Sequence, residues 1–266
     1  MEDRHFRLLI GALVVIGIGL LAWRYWDDMF PPSVPETPAS VPTPEEPVAD
    51  AGPKYPLPET ESQGAPDGEL VPLPSLDDSD GYFLLEIKST LGDAVEALLV
   101  REDVIDRLVA SIDNLPRSDI PERIRPVGTL DAPFAPDAGE GDRLLLGTSS
   151  YARYDALIAY LYYADIDTLY DTYQRFYPLF QTAYERLGYP DAYFNDRLVD
   201  VIDHLLATPV PAGPLELRRP NVLYEFADPD LEALSSGQKL LLRMGPNNAA
   251  TLKRKLEAFK ARLTAG

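Results

Sequence analysis

The sequence predicts a mostly α fold: a multi-helix soluble domain with minor short β elements, behind one N-terminal transmembrane helix and a disordered proline-rich linker. Three observations predict it. From Leu8 to Trp23 no residue carries a charge. Half of the 26 prolines fall between residues 31 and 74. Beyond them, apolar residues recur at three- and four-residue spacing, the period of a helix that buries one stripe.

Composition narrows the function classes. The chain of 266 residues is 45% hydrophobic and 25% charged, an ordinary globular mix. Acids outnumber bases 43 to 24, for a net charge of -19, so nucleic acid is not an expected partner. The absence of cysteine removes disulfides, thiolate metal sites and cysteine nucleophiles. With two histidines in the whole chain, no metal and no cofactor is expected.

The elements follow in order. Residues 1–7 read as a cytoplasmic N-terminus and 8–26 as a signal anchor. Spanning a bilayer takes roughly 20 residues. The run reaches that length if Arg24 snorkels and Trp23, Tyr25 and Trp26 sit in the interface. A cleaved leader needs a small-residue cleavage site, and Trp-Arg-Tyr-Trp follows the run instead. Arg4 and Arg7 precede the span while Asp27 and Asp28 follow it, which places the N-terminus inside. In a bacterium the span then lies in the inner membrane, single-pass, and the domain is periplasmic.

Residues 27–78 read as the linker. Between Asp27 and Asp80 there are 13 acids and one base, Lys54. Proline and like-charge repulsion make an extended, solvated stalk, with a reach of roughly 130 Å at about 3.1 Å per residue. Residues 79–266 read as the helical domain. Helices are expected from Asp80 to Gly92, over Ala94–Val100, and from Glu102 to Asp113 with Pro116 as the stop. Residues 115–149 read as irregular, with short strands at Arg123–Val127 and Arg143–Leu146. Further helices are expected from Ser150 to Ala164, from Asp165 to Leu187 with Pro178 as a kink, and over 191–207. Leu215–Leu217 and Val222–Tyr224 read as β elements. A helical hairpin with its turn at Gly245-Pro246 closes the chain.

Few residues suggest chemistry. Eleven of the 15 tyrosines lie between Tyr151 and Tyr193, either as an aromatic platform or as a tyrosine-rich core. His204 is the domain's one histidine, and Asp200 stands four residues earlier on the same helix face. A carboxylate beside an imidazole is the arrangement that orients a base or binds a metal. No nucleophile motif accompanies the pair. The last 30 residues hold seven cations against Glu257, so Lys253, Arg254 and Lys255 are binding candidates for an anionic partner, unless the hairpin's charge is neutralised by the acidic body.

Several stretches together resemble a known family. They are Asp113-Asn114-Leu115-Pro116-Arg117, Tyr151-Ala152-Arg153-Tyr154, Gly188-Tyr189-Pro190, Phe194-Asn195-Asp196-Arg197-Leu198, Tyr224-Glu225-Phe226-Ala227-Asp228-Pro229 and Leu242-Arg243-Met244-Gly245-Pro246-Asn247. They are similar to the bacterial envelope family named domain of unknown function 3014, whose layout is a span, a stalk and a helical domain. The resemblance implies that architecture and no catalytic residues. A site assembled from Arg117, Arg153, Asn195 and Arg243 is a further candidate. The expectation is a membrane-tethered envelope interaction or scaffold module, with cell-wall polymer or an envelope protein as partner. The alternative is a wall-polymer hydrolase with its site near Asp200 and His204.

Overall fold

Apolar stripes wind into helices whose buried faces meet in a main core. The computed structural model describes residues 52–57, 72–127, 134, 136–163, 165–221 and 223–265. The expected span and most of the expected linker lie outside them. Among the described residues no helix is long and apolar enough to cross a membrane.

A 3-10 turn, Leu76–Asp78, leads into α1 (Asp80–Leu91). Gly92, at φ 88°, ends α1 and takes the Lys88 carbonyl on its N–H. The short α2 (Asp93–Glu96) and α3 (Val104–Asn114) follow. The long pair α4 (Thr148–Tyr163) and α5 (Ile166–Arg186) comes next, then α6 (Phe194–Leu206). After the short α7 (Pro229–Glu232), α8 (Ser236–Arg243) and α9 (Gly245–Leu263) form the closing hairpin. α9 packs on α4, α6 and α5, while α5 and α6 also pack on α3.

The stripe of α5 shows how the sequence drives this. Leu169, Tyr173, Phe176, Phe180 and Tyr184 recur at three- and four-residue steps and are all buried. Phe83 of α1 meets Phe176 edge-on, with ring centres 5.0 Å apart. Burying one such ring contributes about 1.5–3 kcal/mol. Asp165 caps α5 by accepting the Asp167 N–H at 3.2 Å. Pro178 lies inside a helix that continues through it.

The stretch expected to be irregular supplies half of a small sheet. β1 (Asp137–Ala138), β2 (Leu144–Leu146), β3 (Leu215–Arg218) and β4 (Glu225–Phe226) pair antiparallel in chain order. Their inward residues Leu146, Leu215, Leu217 and Phe226 form a second core with Leu242 of α8.

Three expectations are corrected. Arg123–Val127 is not a strand: Glu122–Ile124 is a 3-10 turn, and only Val127 bridges, to Leu99. Pro121 and Pro126 flank the turn and remove the N–H groups a ladder needs. The same bridge draws Leu99 away from the expected helix over Ala94–Val100, so α2 stops at Glu96. The last strand falls at Glu225–Phe226, past Leu223 and Tyr224 of the expected Val222–Tyr224 (Val222 lies outside the described residues), because pairing Phe226 with Leu217 turns its ring into the second core.

Candidate functional site

A further departure from the expected linker defines the site. Residues 52–57, Gly-Pro-Lys-Tyr-Pro-Leu, are not solvated stalk but lie on the helical domain. Along them exposure alternates: Pro53, Tyr55 and Leu57 are half-buried, while Gly52, Lys54 and Pro56 face solvent. A period of two is the mark of an extended segment with one face covered. Tyr55 and Leu57 pack against the main core, and so does Leu73. We call this segment the strap.

The cleft that holds it is the first turn of α6. The Asp196 carboxylate accepts two successive main-chain N–H groups, from Lys54 to Oδ2 and from Tyr55 to Oδ1, each at 2.9 Å. Asn195, fully buried, donates from Nδ2 to the Tyr55 carbonyl at 2.7 Å and to the Leu263 carbonyl at the end of α9 at 3.5 Å. Its Oδ1 accepts the Tyr173 hydroxyl at 3.1 Å. Both ends of the amide are therefore used, and truncating it would strand a buried hydroxyl at a cost of about 1–3 kcal/mol. Burial holds the Tyr173 phenol neutral, well above its ordinary pKa. Gln181 of α5 steadies the same turn, accepting the Phe194 N–H at 2.8 Å and donating to the Ala192 carbonyl at 2.8 Å. The chemistry of the cleft is recognition of main-chain groups on an extended peptide.

The four residues proposed as one assembled site fall into three settings. Asn195 belongs to the cleft. Arg117 reaches the buried Asp113 at 3.5 Å, where Arg197 makes the closer contacts, 2.7 Å to the carboxylate and 2.7 Å to the Asp113 carbonyl. This joins the Asp113–Arg117 and Phe194–Leu198 stretches across α3 and α6. Arg153 and Arg243 lie by the small sheet, over the Phe134 ring at 5.4 Å and the Phe226 ring at 4.9 Å. Burial lowers the Arg243 guanidinium to about 10 and, with the two arginines opposing, raises the Tyr154 phenol to about 12.

The Asp200–His204 pair is not assembled either. Asp200 is exposed, and among the described residues no hydrogen bond or ion pair joins it to His204. His204 instead contacts the Ser235 hydroxyl through Nε2 at 2.8 Å. Ser235 is the N-cap of α8, in a capping box with Gln238. Burial, with the Arg197 charge, lowers the imidazole's pKa and favours its neutral form.

The basic hairpin spends most of its charge within the chain. Lys239 is buried, with Nζ at 2.9 Å from Glu232. Lys253 donates to the Leu206 and Thr208 carbonyls at 3.0 and 2.6 Å, closing the C-terminal end of α6. Lys260 pairs with Asp203, and Arg262 with Asp167 at 2.7 Å. Burial lowers the pKa of Lys255. Arg254 is exposed and donates to the Thr251 hydroxyl at 3.1 Å.

An apolar cavity of ≈ 240 Å³ opens between the 208–213 loop and the α8–α9 junction, lined by Tyr151, Pro209, Val210, Leu241, Pro246 and Lys253 among others. Among the described residues no cluster of His, Cys, Asp and Glu could hold a metal ion.

The sequence offered one signal for the strap. Tyr55 is the only tyrosine and Lys54 the only base between Asp27 and Asp80, and Tyr55 and Leu57 are two residues apart, the spacing of one face of an extended chain.

Neither the curated proteins nor the solved structures contain a match to the chain. The family described as protein of unknown function (DUF3014) matches residues 104–260, which runs from α3 into α9 and takes in Asp113, Asn195, Asp196, Arg197 and Arg243. With more than half of its length matched, the chain belongs to the DUF3014 family.

Proposed function

We propose that the protein is a membrane-tethered interaction or scaffold module of the bacterial envelope, with a single span near residues 8–26, its N-terminus in the cytoplasm and its helical domain in the periplasm. The uncharged run from Leu8 to Trp23 and its basic leading flank support the span and its direction. The observation that carries the reading is the strap. A proline-rich segment that meets the body through hydrogen bonds to Asn195 and Asp196 joins tether and domain through a defined contact. The partner is wall polymer or an envelope protein.

The hydrolase alternative gains no support from the geometry, which occupies His204 with the start of α8. Full-length protein incubated with isolated wall sacculi tests both readings. Retention at low salt that is lost at high salt, with no soluble fragments released, favours the polymer-binding module. Retention that fails at low salt moves the partner to a protein. Fragment release that His204→Ala abolishes would overturn the non-catalytic reading. Protease added from the periplasmic side should digest the domain and spare an N-terminal tag.

A further inference from the structure

We propose that the cleft at Asn195 and Asp196 is an exchangeable peptide site, and that a second copy of this chain supplies the peptide: its own Lys54–Leu57 segment, docked in trans.

Four features carry this. The ligand is known, since the structure shows residues 52–57 in place. The recognition is modular: three hydrogen bonds run between the strap's main chain and two neighbouring residues of α6, and Tyr55 and Leu57 supply the apolar contacts. None of these depends on the strap's covalent link to the body that holds it. The link is also long for so small a footprint, because 14 residues, 58–71, separate Leu57 from Pro72. A connection of that length gives the cis strap only a millimolar-scale advantage over a free one. Finally, every copy carries both halves, so exchange between two copies is reciprocal and closes as a two-fold pair. The inference rests on the tethered-module reading only for its setting, where copies held in one membrane crowd together.

Two full-length variants in one detergent test it. Tyr55→Ala/Leu57→Ala keeps the cleft and spoils the strap. Asp196→Ala keeps the strap and weakens its own cleft. Each is labelled with one dye of a transfer pair. On mixing at about 100 µM, a tenth of that millimolar advantage, energy transfer should appear, at least about tenfold above either variant mixed with itself. A peptide of residues 51–58 should compete it away. No transfer on mixing, with both variants retaining wild-type helicity, would overturn the proposal.

Should either variant lose its helicity, an otherwise intact pair decides. The chain has no cysteine, so Lys54→Cys on one copy and Asp200→Cys on another report exchange directly. Asp200 is exposed one turn beyond Asp196. A disulfide between the two copies supports the proposal. A disulfide only within a doubly substituted chain, and none between copies, overturns it. Either failure concerns the exchange alone and leaves the sacculus and topology tests of the tethered module standing.

Discussion

A carboxylate that accepts two successive main-chain N–H groups, as Asp196 does, reads the direction of a peptide and almost nothing of its side chains. Selectivity for the strap must come from Tyr55 and Leu57, and behind them from the buried amide of Asn195 and the phenol of Tyr173. That phenol is one of a group. Burial raises Tyr154, Tyr177 and Tyr184 to about 12, and lifts Tyr173 well above its ordinary value. In the unfolded chain they titrate near 10, so above pH 10 the unfolded state loses protons first. Their contribution is full below pH 10 and is lost as the pH rises from 10 towards 12. The guanidinium of Arg243, lowered to about 10, runs the opposite way, as do the amines of Lys239, Lys253 and Lys255, which burial also lowers. An absorbance titration at 295 nm should show these phenols ionising late and together with the loss of far-UV helix signal. Ionisation near pH 10 with the helix signal intact would contradict their burial.

Among the elements, the α8–α9 junction is closely packed. Gly245 has φ 82°, a region that side chains rarely adopt, and a Cβ there would stand 2.6 Å from the Tyr151 ring. Gly245→Ala should cost about 2–3 kcal/mol, from backbone strain and a displaced ring together. A urea melt with an unchanged slope and a lower midpoint would show it. The same junction explains what the sequence does and does not disclose. Helices α3, α5, α6 and α9 were legible, because each carries a long stripe at helical spacing that only one face can bury. The sheet was half legible: two-residue strands such as Glu225–Phe226 are set by pairing with a partner, and local pattern cannot report that. Asn195 stands out in the sequence as a polar candidate, whereas Asp196 appears only inside the Phe194–Leu198 stretch. Its true partner is more than 140 residues away, inside a segment whose prolines and acids argue for solvent. A count of seven cations in the hairpin likewise reports net charge and hides the counter-ions, which α5, α6 and α7 provide to Arg262, Lys260 and Lys239.

At the scale of the whole molecule, the folded body is larger than its family match. The match begins at residue 104, yet Leu76, Phe83, Leu84, Ile87, Val95 and Leu99 are buried before it, and the strap lies earlier again. On the tethered protein proposed above, this order has a mechanical consequence. Tension applied from the N-terminal side reaches the strap before it reaches α1. Among the described residues, the hydrogen bonds at Asn195 and Asp196 are then the first to carry load, and their failure frees the strap, residues 52–57. A pulling measurement on the full chain should record that short, low-force extension before the helices yield, and Asp196→Ala should lower the force at which it occurs. The three hydrogen bonds would thus act as a fuse, lengthening the chain ahead of the helical body under strain while that body stays folded.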